Sequence, residues 1–119
     1  MSNRDKGSKL EKYVASRLEP IYKYSRPTIA SGATPVEKGD IKNPYFLIEC
    51  KNWGTESLSI KSDVWKKVKI EAAHDRKDPV YVIENKSGIR LAVMDFDDWV
   101  AFVFELLELR RKEEQNEHN

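Results

Sequence analysis

Residues 39–51 read GDIKNPYFLIECK, and this stretch decides the fold that we expect for the chain. Asn43-Pro44 is a turn signal between two short runs, so we predict a hairpin with arms at residues 40–42 and 45–51. The second arm begins as a continuous apolar run, which is typical of a strand that is covered on both faces of a sheet. The sequence therefore predicts a central strand that ends in the charged residues Glu49 and Lys51.

The charged residues of this stretch are expected to meet at one place. Side chains alternate along a strand, so Glu49 and Lys51 point to the same face and Cys50 points the other way, into the core. Asp40 lies near the start of the adjoining arm, and the turn can bring it across from Glu49. The pattern predicts two carboxylates and one ammonium close together.

The rest of the chain supplies helices and strands on either side of this hairpin. Before it we predict a helix at about residues 8–19, with Ser8 as N-cap and Glu11 completing a capping box, then a strand near 21–26 and a loop over 27–39. After it, Ser62 or Asp63 can begin a second helix, which buries Val64, Val68 and Ala72 on one face.

Two β-rich runs and a last helix complete the prediction. Residues 79–84 and 89–94 form a second hairpin around a turn at 85–88, and the last helix runs from Asp97 to Leu109 before it frays over residues 110–119. The expected fold is α/β, with a mixed central sheet flanked by helices in the order α-β-β-β-α-β-β-α. We expect one domain over residues 1–119, with flexible ends at 1–6 and 112–119.

The composition of the chain argues against disulfides, zinc sites and membrane spans. The chain has 119 residues, of which 39% are hydrophobic and 34% charged, and Cys50 is its only cysteine. A disulfide within the chain and a zinc site made of cysteines are excluded, and the two histidines share no ligand spacing. No run approaches the roughly 18–20 apolar residues of a membrane span, and the first thirty residues lack a signal-peptide core. We expect no membrane association and a cytoplasmic, intracellular protein, in the host cytoplasm if the gene is viral.

The net charge of +1 is unevenly distributed. Residues 1–26 carry seven Lys/Arg against three Asp/Glu, residues 50–77 carry seven against four, and residues 95–119 carry three against eight. A polyanion would be drawn to the first two segments and repelled by the last. The candidate phosphate contacts are basic residues that could equally form solvated faces: Arg4, Lys6, Lys9, Arg26, Lys66 and Lys67.

Asp40, Glu49 and Lys51 have the chemistry that phosphodiester hydrolysis needs. Two carboxylates and a backbone carbonyl, for which Cys50 is the natural candidate, form a partial shell for Mg²⁺ with water positions left open. A metal there can lower the pKa of a bound water and neutralise charge on a phosphate. Lys51 can hold or deprotonate the attacking water, or stabilise the developing charge.

On these residues the sequence resembles the PD-(D/E)xK nucleases, and among them the Holliday-junction resolvases of the archaeal and phage type. Gly39-Asp40 matches the first half of the signature, with Gly in place of the usual Pro, and Glu49-Cys50-Lys51 matches the second half. The spacing of eight residues between Asp40 and Glu49 is near the short end for this signature. A Gly-Ser…Glu start at residues 7–11 and a Ser-Gly-Ala loop at residues 31–33 also agree with the resolvases.

The resemblance implies a fold, a cofactor and roles for residues. It implies a restriction-endonuclease-like fold and an endodeoxyribonuclease that uses Mg²⁺, or Mn²⁺ in its place, to resolve four-way DNA junctions in recombination and repair. Glu11 would support the metal site, Asp40 and Glu49 would bind the metal, and Lys51 would be the catalytic lysine. Ser31 would lie on a loop that approaches the junction backbone.

Two other functions remain open from the sequence. The first is a repair or restriction nuclease of the same fold with another DNA target. The second is a non-catalytic DNA-binding subunit, against which the intact set of Asp40, Glu49 and Lys51 argues. Divalent-metal titration distinguishes an enzyme from an inert module.

The last helix indicates a partner. Its apolar residues, from Trp99 to Leu109, spread around more of the circumference than one core-facing stripe needs. A small domain cannot cover all of them, so we expect part of this surface to meet another chain. A homodimer through the helix at residues 97–110 is the expected arrangement, and it agrees with the symmetric dimers of the resolvases.

Overall fold

The computed structural model describes the backbone of residues 3–19, 26–27 and 41–117, with side chains from Lys9 onward except at 26, 27 and 42. In these ranges the elements follow the predicted order of α-β-β-β-α-β-β-α. The helices are α1 (Asn3–Leu18), α2 (Ser62–His74) and α3 (Phe96–Glu117). The strands are β1 (Arg26–Pro27), β2 (Ile41–Lys42), β3 (Phe46–Asn52), β4 (Asp78–Glu84) and β5 (Arg90–Val93).

The strands form one mixed sheet in the spatial order β1-β2-β3-β4-β5, in which β1 and β2 are two residues long. β3 runs parallel to β4, in register from Phe46 opposite Asp78 to Asn52 opposite Glu84. The other neighbouring pairs are antiparallel. Parallel neighbours need a long crossover, and α2 provides it between β3 and β4. The predicted α/β class with a mixed sheet is therefore confirmed.

The sheet is covered on its two faces by different helices. The α1-side core consists of the buried residues Leu10, Val14, Ala15, Ile41 and Ile48. The α2-side core consists of Leu47, Val68, Ala72, Tyr81 and Ile83. Successive residues Leu47 and Ile48 belong to opposite cores, as strand alternation requires. β3 is thus the central strand that its apolar run predicts.

Each of the two hairpins is fixed by a buried asparagine at its turn. Asn43 is 2% exposed, and its Oδ1 accepts hydrogen bonds from the backbone N–H groups of Tyr45 (2.9 Å) and Phe46 (3.0 Å). Asn85 is 4% exposed, and its Oδ1 accepts from the N–H of Ile89 (2.8 Å). Asparagine folds its side chain back on its own turn in this way. The predicted turns at Asn43-Pro44 and at residues 85–88 are confirmed.

The predicted starts of the first two helices are wrong. α1 begins at Asn3, five residues before the predicted start, so Ser8 and Glu11 lie inside the helix and form no capping box. For α2 the N-cap is Lys61, without a side-chain capping hydrogen bond, in place of Ser62 or Asp63. Polar residues at positions 3–8 carry no apolar periodicity, so the pattern could not reveal the first turns of α1.

Smaller differences concern β1 and the outer face of α2. Pro27 lies in β1, although we predicted that the loop begins there. Of the predicted strand at 21–26, only Arg26 is described, and it lies in β1. Residues 28–39 of the predicted loop lie outside the described residues. Val64 is 38% exposed, whereas Val68 and Ala72 are buried as expected. The core-facing stripe of α2 is therefore narrower than predicted.

The last helix is longer than predicted and contributes little to the core. α3 continues through residues 110–117, where we predicted fraying, and none of its residues is buried. The ends that we expected to be flexible are helical where they are described, over 3–6 and 112–117. A 22-residue helix is about 33 Å long. The Cα radius of gyration is 16.2 Å, against roughly 13.5 Å for a compact domain of this length.

None of the helices in the described ranges is long and apolar enough to cross a membrane.

Candidate active site

The end of β3 carries the candidate catalytic residues. Ile48 and Cys50 pack with the α1-side core, and Leu47 belongs to the α2-side core. Strand alternation therefore puts Glu49 and Lys51 together on the α2 side. Glu49 is half-buried and Lys51 is exposed. A carboxylate and an ammonium thus share one face at the end of the central strand, while the Cys50 thiol is directed into the core.

Lys51 is held near an aromatic ring. Its Nζ lies 5.4 Å from the ring centroid of Trp53, which is within the range of a cation–π contact. Trp53 itself packs against the α2-side core, and its Nε1 is buried without a hydrogen-bond partner among the described residues. The ring therefore covers the core and restricts the positions that the Lys51 ammonium can adopt.

Glu11 has a different setting from the one predicted. It is half-buried on α1, and the early start of the helix removes capping as the reason for a glutamate there. Leu10 and Val14 of the same helix belong to the α1-side core. α1 therefore covers the face of β3 opposite to the one that carries Glu49 and Lys51.

Two of the predicted site residues, Ser31 and Asp40, lie outside the described residues. The nearest described position to Asp40 is Ile41, which pairs with Ile48, the residue before Glu49. Within the described part of the chain, no group of three or more His, Cys, Asp or Glu side chains could hold a metal ion.

A basic cleft, which the sequence did not reveal, lies where β3 and β4 end. Its volume is about 300 Å³. The residues that line it include Lys9, Asn52, Gly54, Glu84, Lys86 and Arg90. Three cations from α1, from the β4–β5 turn and from β5 thus surround one carboxylate. An anion would be attracted to a concave surface with this balance of charge.

Glu84 holds one amide and one cation of the basic cleft in place. Asn52 Nδ2 donates to Glu84 Oε1 (2.5 Å), and Arg90 Nε donates to Glu84 Oε2 (2.5 Å). The Arg90 guanidinium also lies 4.1 Å from the ring centroid of Tyr13 on α1. Glu84 and Arg90 are opposite each other at the base of the second hairpin, so their ion pair could have been predicted from the position of the turn. Lys9 and Lys86 are far apart in sequence, and only the fold brings them together.

The remaining predicted phosphate contacts divide into two groups. Lys66 and Lys67 are exposed on α2, so they are accessible to a polyanion. The side chains of Arg4, Lys6 and Arg26 lie outside the described ones. Lys69, which lies beside Lys66 and Lys67 on α2, forms an ion pair with Asp95, with 2.7 Å between Nζ and Oδ2.

Asp95 joins the start of α3 to α2. It accepts a hydrogen bond from Trp65 Nε1 (2.8 Å) besides its ion pair with Lys69. The hydrogen bonds from Lys69 and Trp65 lower the pKa of Asp95, and Asp95 in turn raises the pKa of Lys69. This contact is structural and lies outside the candidate site.

Comparison of the chain with models of protein families, with curated proteins and with solved structures finds no match.

Proposed function

We propose that this protein is a metal-dependent, structure-selective endodeoxyribonuclease that resolves four-way DNA junctions and acts as a homodimer. The observation that carries the proposal is the end of β3, where Glu49 and Lys51 share one face of a central strand. The strand is paired with β2, and Asp40 immediately precedes β2 in sequence. The proposal also depends on the resemblance of this motif to the PD-(D/E)xK signature.

The donor atoms at this place suit a hard divalent cation. Cys50 packs into the α1-side core through its side chain, so only its backbone oxygen is offered to a metal. Carboxylate and carbonyl oxygens are the ligands that Mg²⁺ and Mn²⁺ prefer. Asp40, Glu49 and the Cys50 carbonyl would hold the ion. Glu11 lies on the helix that covers the opposite face of β3, so it would support the ion through water and not as a direct ligand. When bound, the ion lowers the pKa of a water and offsets charge on the scissile phosphate.

Besides the metal ion, the Lys51 ammonium would supply positive charge at the active site. Its side chain is exposed to solvent, and the contact of its ammonium with the Trp53 ring limits its conformations. Binding of a phosphate therefore costs little further side-chain entropy. From there it can hydrogen-bond the attacking water or the oxygen on which negative charge develops. Such groups typically contribute 10²- to 10⁴-fold to the rate.

The basic cleft gives the DNA backbone a place to bind. It lies at the same end of β3 as Lys51 but on the α1 side of the sheet, and its cations come from three elements that the fold holds together. Phosphate contacts fix the position of a protein on DNA without reading sequence. This is the kind of contact that selection by DNA structure requires. Lys66 and Lys67 on α2 are available for a further stretch of backbone.

The test is cleavage of a labelled synthetic four-way junction, with linear duplex and single strand as parallel substrates, in Mg²⁺ or in EDTA. We expect paired symmetric nicks in the junction alone, abolished by EDTA. Asp40→Asn, Glu49→Gln and Lys51→Ala should each reduce the rate by at least about 100-fold. Glu113→Gln and Lys112→Ala, both exposed at the end of α3, are the matched controls and should cleave like the wild type.

Other outcomes would lead to other functions. Equal cutting of linear duplex would retain the nuclease but replace junction resolution by repair or restriction. Junction binding without cleavage in Mg²⁺ or Mn²⁺ would contradict the enzyme and favour a non-catalytic DNA-binding subunit. Normal cleavage by Lys51→Ala would show that the active site lies elsewhere.

A further inference from the structure

Trp53 follows the candidate catalytic lysine by two residues and supports its side chain. The backbone N–H of Trp53 donates to the carbonyl of Glu84 (2.8 Å), so it extends the pairing of β3 with β4 by one residue. Its side chain packs against the α2-side core, on the face of the sheet that carries Lys51. The Lys51 Nζ lies over the indole ring, 5.4 Å from its centroid. The ring therefore forms the surface on which this ammonium rests.

The residues on either side of Trp53 fix the position of its ring. Asn52 donates from Nδ2 to Glu84 Oε1 (2.5 Å), and its Oδ1 accepts from the backbone N–H of Gly54 (3.0 Å). Gly54 has a φ of 65°, which favours glycine, and it turns the chain directly after Trp53. The backbone of Trp53 is therefore held on both sides, and the ring has little freedom relative to the sheet.

The ring is the contact that favours one position of the Lys51 ammonium. The Lys51 side chain is exposed, and a lysine loses much rotamer freedom when it is confined to one conformation. Within the described part of the chain, the ion pairs involve other basic residues, namely Lys69, His74, Arg90 and Arg111. An ammonium over the face of an aromatic ring is attracted to it electrostatically. That attraction offsets part of the entropy that Lys51 loses.

The indole of Trp53 is a costly group to place in this core. Its Nε1 is buried and has no hydrogen-bond partner among the described residues. A buried donor without an acceptor destabilises the folded state, and a phenylalanine would fill much of the same space without that penalty. Tryptophan, however, attracts a cation more strongly than the other aromatic side chains. Tryptophan at this position therefore suits the support of a cation better than it suits packing.

We propose that Trp53 is a positioning residue for the nuclease reaction, and that its ring holds the Lys51 ammonium where it meets the scissile phosphate. This inference rests on the proposed function, and it adds a residue beyond Asp40, Glu49 and Lys51. Trp53 acts through Lys51 and does not itself contact the reacting atoms.

The first measurement does not require activity. In protein labelled with ¹³C-lysine, the Cε–H signal of Lys51 is assigned by its loss in Lys51→Arg. Protons over the face of an aromatic ring are shifted upfield, so we expect this signal upfield of the other exposed lysines. It should lose that shift in Trp53→Leu and keep most of it in Trp53→Phe. A signal that is the same in the wild type and in Trp53→Leu would overturn the proposal.

The second measurement is kcat and KM for cleavage of the four-way junction. Trp53→Leu should lower kcat by at least about fivefold and leave KM within about twofold, because a misplaced ammonium mainly affects the reacting complex. Trp53→Phe should restore kcat to within about twofold of the wild type. In a Lys51→Ala background, Trp53→Leu should lower the rate no further. An equal effect with and without Lys51 would mean that the ring acts through the fold, against the proposal.

Trp65→Leu is the matched control for the loss of an indole from the same core. Trp65 packs against the α2-side core from α2, with its Nε1 bonded to Asp95 (2.8 Å). Both leucine variants leave space in this core, so both should lower the thermal midpoint. The change in kcat and in the Lys51 signal should be confined to Trp53→Leu, and equal changes in the two variants would contradict the positioning role. Trp53→Met fills more of the space without a ring and replaces Trp53→Leu if that variant does not fold.

The positioning role and the proposed function can fail separately. If the wild type cleaves no DNA in Mg²⁺ or Mn²⁺, the nuclease is wrong, whereas the Lys51 signal still decides whether the ring holds the ammonium. If the wild type cleaves the junction and Trp53→Leu cleaves it equally fast, the nuclease stands and the positioning role of Trp53 is wrong.

Discussion

At the scale of single residues, several polar contacts within the described part of the chain fix how its elements meet. Asp95 is an example, because it ties the start of α3 to Trp65 and Lys69 of α2. Its folded-state pKa is lowered, so the contact stabilises the protein above the usual pKa of 3.8 and is lost as the pH falls through the lowered value. The pKa of Lys69 is raised, so the same contact is fully present below pH 10.5 and is lost as the pH rises through the raised value.

We therefore expect Asp95→Asn to lower the thermal midpoint at pH 7 and to have a progressively smaller effect as the pH falls below 3.8. Asparagine can still accept the hydrogen bond from Trp65, so the difference in thermal midpoint between wild type and variant measures the ion pair with Lys69. The measurement is the thermal midpoint of wild type and variant between about pH 3 and pH 8. Asp97→Asn, at an exposed carboxylate in the first turn of α3, is the control. A difference that is constant with pH would contradict the assignment.

At the scale of elements, the hairpins are the features that the sequence predicted best. Asn43-Pro44 is a local signal whose physical cause, the side chain of Asn43 bonded to its own turn, lies within four residues. The alternation of β3 is equally local. These two features are enough to place Glu49 and Lys51 on one face of a central strand.

The hairpin that contains β3 should depend strongly on Asn43. Asn43→Ala leaves two backbone N–H groups without their acceptor at a buried site, so we expect a loss of about 2 kcal/mol in the free energy of unfolding. Asn43→Asp keeps the acceptor oxygens and should cost less than half as much. Urea denaturation of the three proteins measures both differences. Equal losses for the two variants would mean that side-chain volume, and not hydrogen bonding, decides the stability of this turn.

The sequence could not predict features that depend on distant residues or on regions without periodicity. Lys9 and Lys86 line the same basic cleft although 76 residues lie between them in the sequence. No local sequence pattern could predict that they are close in space. The first turns of α1 are polar, and the last turns of α3 extend beyond its apolar residues. The sequence pattern gives the wrong bounds for both, because periodicity detects only the part of a helix that has separate apolar and polar faces.

At the scale of the whole molecule, the basic cleft gathers positive charge at one end of the sheet, where a polyanion such as the proposed DNA substrate would be attracted. Binding to a polyanion releases counterions, so the logarithm of the binding constant falls with the logarithm of salt concentration, by about 0.9 per phosphate neutralised. We expect Lys86→Ala to reduce this slope by about one unit for a labelled duplex or junction, measured by fluorescence anisotropy.

Lys112→Ala is the control for this measurement. It removes the same charge from the acidic end of α3, where a polyanion is repelled, and should leave the slope unchanged. If Lys86→Ala has the slope of the wild type, the DNA backbone does not pass through the basic cleft, although the catalytic proposal would stand.

The parallel pairing of β3 with β4 has a consequence for the order in which the molecule folds. Both hairpins close over a few residues and can form within microseconds. β3 and β4 can join only after the 25 residues between them, including α2, have been brought into place. Such non-local closure is the slow step in comparable topologies. Glu49 and Lys51 would thus be correctly spaced in an early hairpin, whereas the basic cleft, which needs α1, β3 and β5 together, would be assembled last.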